Sequence, residues 1–118
     1  MAAIAYYDDT NSILKFSRFG NFSLRTDDVA TDGAGLYASL AYSRTGLPTI
    51  AYLATTNRCL EVASFNGTAW QTTIIDISQS AGWYASLAFS PSGQPAIAYY
   101  DGFNRDLKFA QRALFTGK

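Results

Sequence analysis

The chain repeats itself, and that repetition limits its fold more than any other feature. The segment opening at Gly35, GLYASLAYSRTGLPTIAYLATTNRCLEVA, returns 47 residues later at Gly82 as GWYASLAFSPSGQPAIAYYDGFNRDLKFA, with 16 of 29 positions identical and no gap. A third copy lies at the N-terminal end, where AIAYYDDTNSILKFSRF from Ala3 matches the segment from Ala96 at 10 of 17 positions. The offset of that pair is 93 residues, one short of two periods, so one position is lost between residues 19 and 35. A fixed period of this length marks an architecture of stacked, similar units, none of which can bury its apolar surface alone.

Each unit reads as four short strands. The first spans residues 37–43 and again 84–90; the second spans 48–53 and 95–100, and begins the chain at 3–7. The third spans 60–65, 14–19 and 107–112, and the fourth 70–77 with an echo at 22–29. Arg44-Thr45-Gly46, Pro91-Ser92-Gly93 and Asn66-Gly67 punctuate them with the residues that tight hairpins use. Tyr, Phe, Ile, Leu and Ala fill the strands, and no window keeps a helical period. Four hairpin-connected strands in 40–50 residues are the signature of a β-propeller blade, so an all-β propeller is expected. The first two strands are apolar or small on both faces, as inner strands between neighbouring blades must be. The last two alternate more and suit a wetter rim. Residues 1–118 are thus one domain, comprising a partial blade at 1–34, a full blade at 35–81 and a partial blade at 82–118.

Composition excludes several classes. Apolar residues make up 48% and charged residues 15%, far from a disordered chain. Nine basic residues balance nine acidic ones, which gives no electrostatic footprint for nucleic acid or an anionic membrane surface. No apolar run is long enough to cross a bilayer as a helix. The single cysteine, Cys59, has no partner for an internal disulfide, and the N-terminal MAAIAYYDD has no leader character; both favour the cytoplasm.

The pattern G-x-Y-A-S-L-A-x-S-x-x-G-x-P-x-I-A-Y, followed by L-x-F-A and F-N-G-x-x-W, resembles blades found in tandem in large bacterial propeller proteins. That resemblance covers nearly the whole chain and implies a fold without implying an activity. Short propeller lectins, of the tachylectin-2 and fucose-binding types, are similar in blade length, and some of the latter assemble rings from two-blade chains. The fucose binders carry an Arg where this chain has Ala5, Ala51 and Ala98, and a Glu where it has Lys15, Glu61 and Lys108. Ser64-Phe65-Asn66-Gly67-Thr68-Ala69-Trp70 is similar to the Asp-box turn of sialidase-like propellers, with Asn for Asp and one residue fewer.

Candidate chemistry is sparse. The sequence contains no histidine, which removes the commonest general base and metal ligand. Cys59 aligns with Ile13 and Asp106, so it reads as a packed thiol; Asp27 and Asp28 are the carboxylate pair that a glycosidase would need, but as strand neighbours they point to opposite faces, which disfavours that reading. Tyr6-Tyr7-Asp8 and Tyr99-Tyr100-Asp101, with Tyr52 in the middle copy, end the second strand of each unit. One reading is aromatic clefts between blades with a carboxylate to orient a ligand, joined by Trp83; the favoured reading is packing tyrosines and a turn-making Asp. Asp101, Asn104 and Asp106 gather oxygens in one turn, but the other copies do not keep the set, and no metal or cofactor is expected. Arg58 and Arg105 recur at one turn position, and Trp70 reads as a fold residue.

The expectation is therefore a non-catalytic binding or protein-interaction module, with a carbohydrate-binding lectin as the alternative and a glycosidase-like propeller as a distant third. Strand counting adds a partner. Three, four and three strands leave the first unit without its inner strand and the last without its outer one. The edge of Ile4–Tyr7 and the apolar end faces then need cover. A head-to-tail homodimer closing one ring would supply it, with residues 112–116 lending a strand across the junction.

Overall fold

The computed structural model describes residues 2–20, 22–31, 33–56, 58–77 and 81–111. Among the described residues all ten elements are strands, and each repeat unit becomes one antiparallel meander. The first sheet holds β1 (Ala3–Asp8), β2 (Ile13–Gly20) and β3 (Ser23–Ala30). A four-stranded sheet follows, of β4 (Ala34–Tyr42), β5 (Pro48–Ala54), β6 (Cys59–Phe65) and β7 (Trp70–Asp76). The third sheet holds β8 (Ala81–Phe89), β9 (Pro95–Asp101) and β10 (Asp106–Gln111). Strands pair in chain order within every sheet, and the repeat is kept in register: Leu40↔Ile50 in one sheet is Leu87↔Ile97 in the next. Residues 112–116, expected to lend a strand, lie outside the described residues.

The inner strands differ from expectation in an instructive way. β4 and β8 begin three residues earlier than residues 37 and 84, because the G-x-Y motif is a bulge inside the strand and not a turn before it. Register shifts fall on both sides of Leu36 and of Trp83. Tyr37 and Tyr84 sit in the left-handed region at φ 55° and 54°, costly for a bulky residue. Gly35 and Gly82 precede them at φ 119° and 108°. A Cβ on Gly35 would lie 3.0 Å from the Leu14 Cα, and one on Gly82 would lie 3.1 Å from the Leu60 Cα. Glycine is needed there because the backbone of the preceding sheet passes directly beneath.

That close approach is repeated. β4 rests on β1 and β2, and β8 rests on β5 and β6 in the same manner, with β4 and β8 side by side. The Leu87 amide donates to Ser39 Oγ at 3.0 Å, and Arg44 Nη1 donates to the Ser92 carbonyl at 3.2 Å, tying the two inner strands and their turns. Two cores result. One gathers Leu14, Phe16, Val29, Ile50, Tyr52 and Cys59 between the first and second sheets. The other gathers Ala51, Leu60, Val62, Leu87, Ile97 and Tyr99 between the second and third. Trp70 clamps the first junction from β7, with its ring edge-on to Phe16 at 5.3 Å and Nε1 donating to Asp27 at 3.2 Å. The wet rim is narrower than the sequence suggests. β3 and β7 are largely exposed, but β6 is mostly buried because Leu60 and Val62 join the core shared with the third sheet, and Cys59 and Ala63 the core shared with the first.

Candidate functional site

Alternation along a strand sends the two tyrosines of each Tyr-Tyr-Asp run to opposite faces. Tyr6, Tyr52 and Tyr99 face the side on which the preceding sheet packs. Tyr52 is fully buried and its hydroxyl donates to Glu61 at 2.7 Å. Tyr99 is nearly so, and its hydroxyl donates to Asp76 of the neighbouring sheet at 2.6 Å. Burial first, then these carboxylates, push both phenols far above their ordinary range. Tyr6 is only half-buried and its hydroxyl meets Ser17 Oγ at 3.4 Å.

The aspartates are turn-makers. Asp101 is fully buried, accepting from the amides of Phe103 and Asn104 and from Asn104 Nδ2 at 2.9 Å, with Lys108 Nζ at 3.0 Å. The Asn104 side chain, then Lys108, holds its carboxyl well below the usual carboxylate range. Asp8 repeats this with Asn11 and Lys15. The middle copy breaks the pattern in a compensated way. Ala54 replaces the aspartate, Glu61 replaces the lysine, and the Tyr52 hydroxyl takes the glutamate instead. Each copy thus pairs its own charged group at this position, and in the third copy that group is fully buried, which is what a structural motif requires. Among the described residues no group of three or more His, Cys, Asp or Glu side chains gathers as a metal site would.

The second tyrosines face the following sheet. Tyr7 lies beneath Gly35 of β4, while Tyr100 is paired with Trp83 and Leu107 across the third sheet. Of the candidate residues, Trp83 lines a cleft of about 460 Å³ between the second and third sheets, shared with Leu36, Leu53, Thr55 and Arg58. Trp83 stands 5.4 Å from Tyr37 and 6.1 Å from Tyr84, and these two strained tyrosines are 4.5 Å apart. Burial, followed by the Tyr84 hydroxyl, raises the Tyr37 phenol above its ordinary value. Thr55 Oγ1 donates to the Gly33 carbonyl at 2.6 Å, fixing the cleft wall. Arg58, left-handed at φ 53°, has no ion pair among the described residues. Among the described residues the lining carries neither carboxylate nor thiol. These side chains can pack an apolar or planar surface and offer one guanidinium, and they form no acid–base pair.

Leu36, Leu53 and Thr55 are absent from the residues that the sequence singles out. Their signal is nevertheless present in the repeat itself, which equates Leu36 with Trp83 and Arg58 with Arg105. The remaining candidates are occupied elsewhere. Asp27 binds Trp70 and Arg25, whereas Asp28 reaches Lys15 on the other face. Burial, then Glu61, pushes the Cys59 thiol up to about 11. In the Asp-box-like turn Asn66 Oδ1 accepts from the Thr68 and Ala69 amides at 2.8 and 2.9 Å.

No family model matches the chain, and no curated protein or solved structure matches it significantly.

Proposed function

We propose that the three sheets are successive blades of a β-propeller and that the chain is a non-catalytic binding or scaffold module whose ring is closed by a second copy. One observation carries this reading. Leu14, Leu60 and Leu107 are equivalent in the repeat, yet the first two are 0% exposed and the third 81%. Phe16 and Val62 are 1% and 3% exposed, against 60% for Phe109. The opposite end is bare in the complementary sense: Ile50 and Ile97 are 0% exposed and Ile4 is 58%. One end face is therefore built like the lower half of each internal junction and the other like the upper half. Surfaces that differ in this way join head to tail and close as rings. Two copies supply six sheets.

The absence of histidine from the sequence, and of carboxylates among the described residues of the cleft lining, supports binding over catalysis. Light scattering at micromolar concentration tests the assembly. A mass of two chains is expected, and a monodisperse monomer would overturn it. The cleft around Trp83 favours one second reading, a carbohydrate-binding lectin, because an aromatic face beside a guanidinium suits a sugar ring with polar substituents. Glycan-array binding lost on Trp83→Ala, with melting unchanged, is the outcome that reading requires.

A further inference from the structure

The end face of the first sheet differs from its equivalents in backbone as well as side chains. In the second and third sheets, β5 and β9 have a neighbour on both sides. β1, their equivalent, is paired only with β2 among the described residues, so the edge of Ala3–Asp8 has no inner strand. An unpaired edge beside an apolar face is a template for strand addition. Here the template's complement is known, because the chain contains it twice.

We infer that the β1 edge is a docking groove for an extended segment of the G-x-Y-A-S-L-A pattern, the sequence of β4 and β8. The inference rests on the propeller reading above and adds which strand is received and in what register. β8 pairs Trp83↔Tyr100, Ser86↔Ala98, Leu87↔Ile97 and Ala88↔Ala96. Moving these partners back by the 93-residue offset assigns the incoming Trp to Tyr7, Ser to Ala5, Leu to Ile4 and Ala to Ala3. The leucine then covers Ile4, as Leu87 packs into the core that holds Ile97. A depression of about 150 Å³ bounded by Ile4, Ser17, Phe19 and Leu24 already lies on this face. The incoming serine falls beside β4, where it accepts from the Leu40 amide as Ser39 accepts from that of Leu87. A one-residue slip would turn the leucine outward, so the register is specified.

The probe is a synthetic nine-residue peptide with the sequence of residues 81–89, AGWYASLAF, added to the full 118-residue chain. Hydrogen exchange is followed by mass spectrometry, and mass by light scattering in the same samples. The peptide is expected to slow exchange of the outward amides of Ala3–Asp8, and of Leu40, at least tenfold. A peptide carrying Leu87→Pro, which breaks the bonded ladder, is expected to give no protection. Equal protection by both peptides, or none by either, overturns the inference. So does a β1 edge already protected in the chain alone, because another segment or copy then fills the groove. The light-scattering mass reports separately on ring closure: a monomeric chain that nevertheless binds the peptide would sink the closure and leave the groove standing.

Discussion

Leu60 and Leu107 occupy the same place in consecutive units, one sealed beneath β8 and the other open to solvent. Every residue of β5 is buried, while in β9 only alternate residues are, on the face toward the second sheet. Sequence and local conformation are shared, so the difference lies in what stands next to each sheet. The unit is thus not self-sufficient. Its stability is a property of junctions, as expected where stacked repeats contact only their neighbours.

The two leucines should differ most in what their removal costs. Leu60→Ala is expected to cost about 2–5 kcal/mol in urea denaturation, since it opens a cavity in a packed junction. Leu107→Ala in the dissociated chain is expected to change stability by less than about 0.5 kcal/mol, as for an exposed site. Equal losses would mean that the two faces are not distinguished by covering.

Gly82→Ala attacks the same junction from above. The new Cβ meets Leu60 backbone at 3.1 Å in a left-handed conformation, and about 1–3 kcal/mol is expected from strain alone. Gly67→Ala has positive φ but nothing within 4 Å, so its cost should fall at the low end. The difference between the two isolates the close approach of the sheets.

A smaller effect separates the charged copies from the compensated one. The folded-state carboxyl of Asp101 lies below its unfolded value of 3.8, so its contribution is complete above that pH and fades as pH falls below it. Melting temperature should drop between pH 5 and pH 3 more steeply in the parent chain than in Asp101→Asn. Parallel curves would remove Asp101 from the acid response.

The repeat makes most of the fold legible, since strand number, order and turns follow from alternation, Gly/Asn punctuation and a 47-residue period. The inner strand's early start is hidden because a bulge and a turn use the same residues; only the neighbouring sheet's proximity shows which one Gly35 serves. β6 reads as a rim strand for a similar reason. The alternation Glu61/Val62 implies a wet face only if nothing covers it, and here the hydroxyl of the buried Tyr52 binds the glutamate. The cleft is legible only in part. Trp83 stands out as a large aromatic, whereas Leu36 and Leu53 are apolar residues like any in a core until two sheets splay apart around them.

On the proposed reading the two end faces are the halves of one junction. Ile4→Lys and Phe109→Glu place opposite charges on opposite ends, at residues already exposed in the single chain. In a head-to-tail assembly every contact of either variant contains a charged face, so each alone is expected to be a folded monomer by circular dichroism and light scattering. Mixed in equal amounts, they recover one intact junction and one ion-paired junction, and a mass of two chains returns. If either variant alone keeps the associated mass, the contact joins like faces and the account is contradicted; a mixture that stays monomeric contradicts it equally.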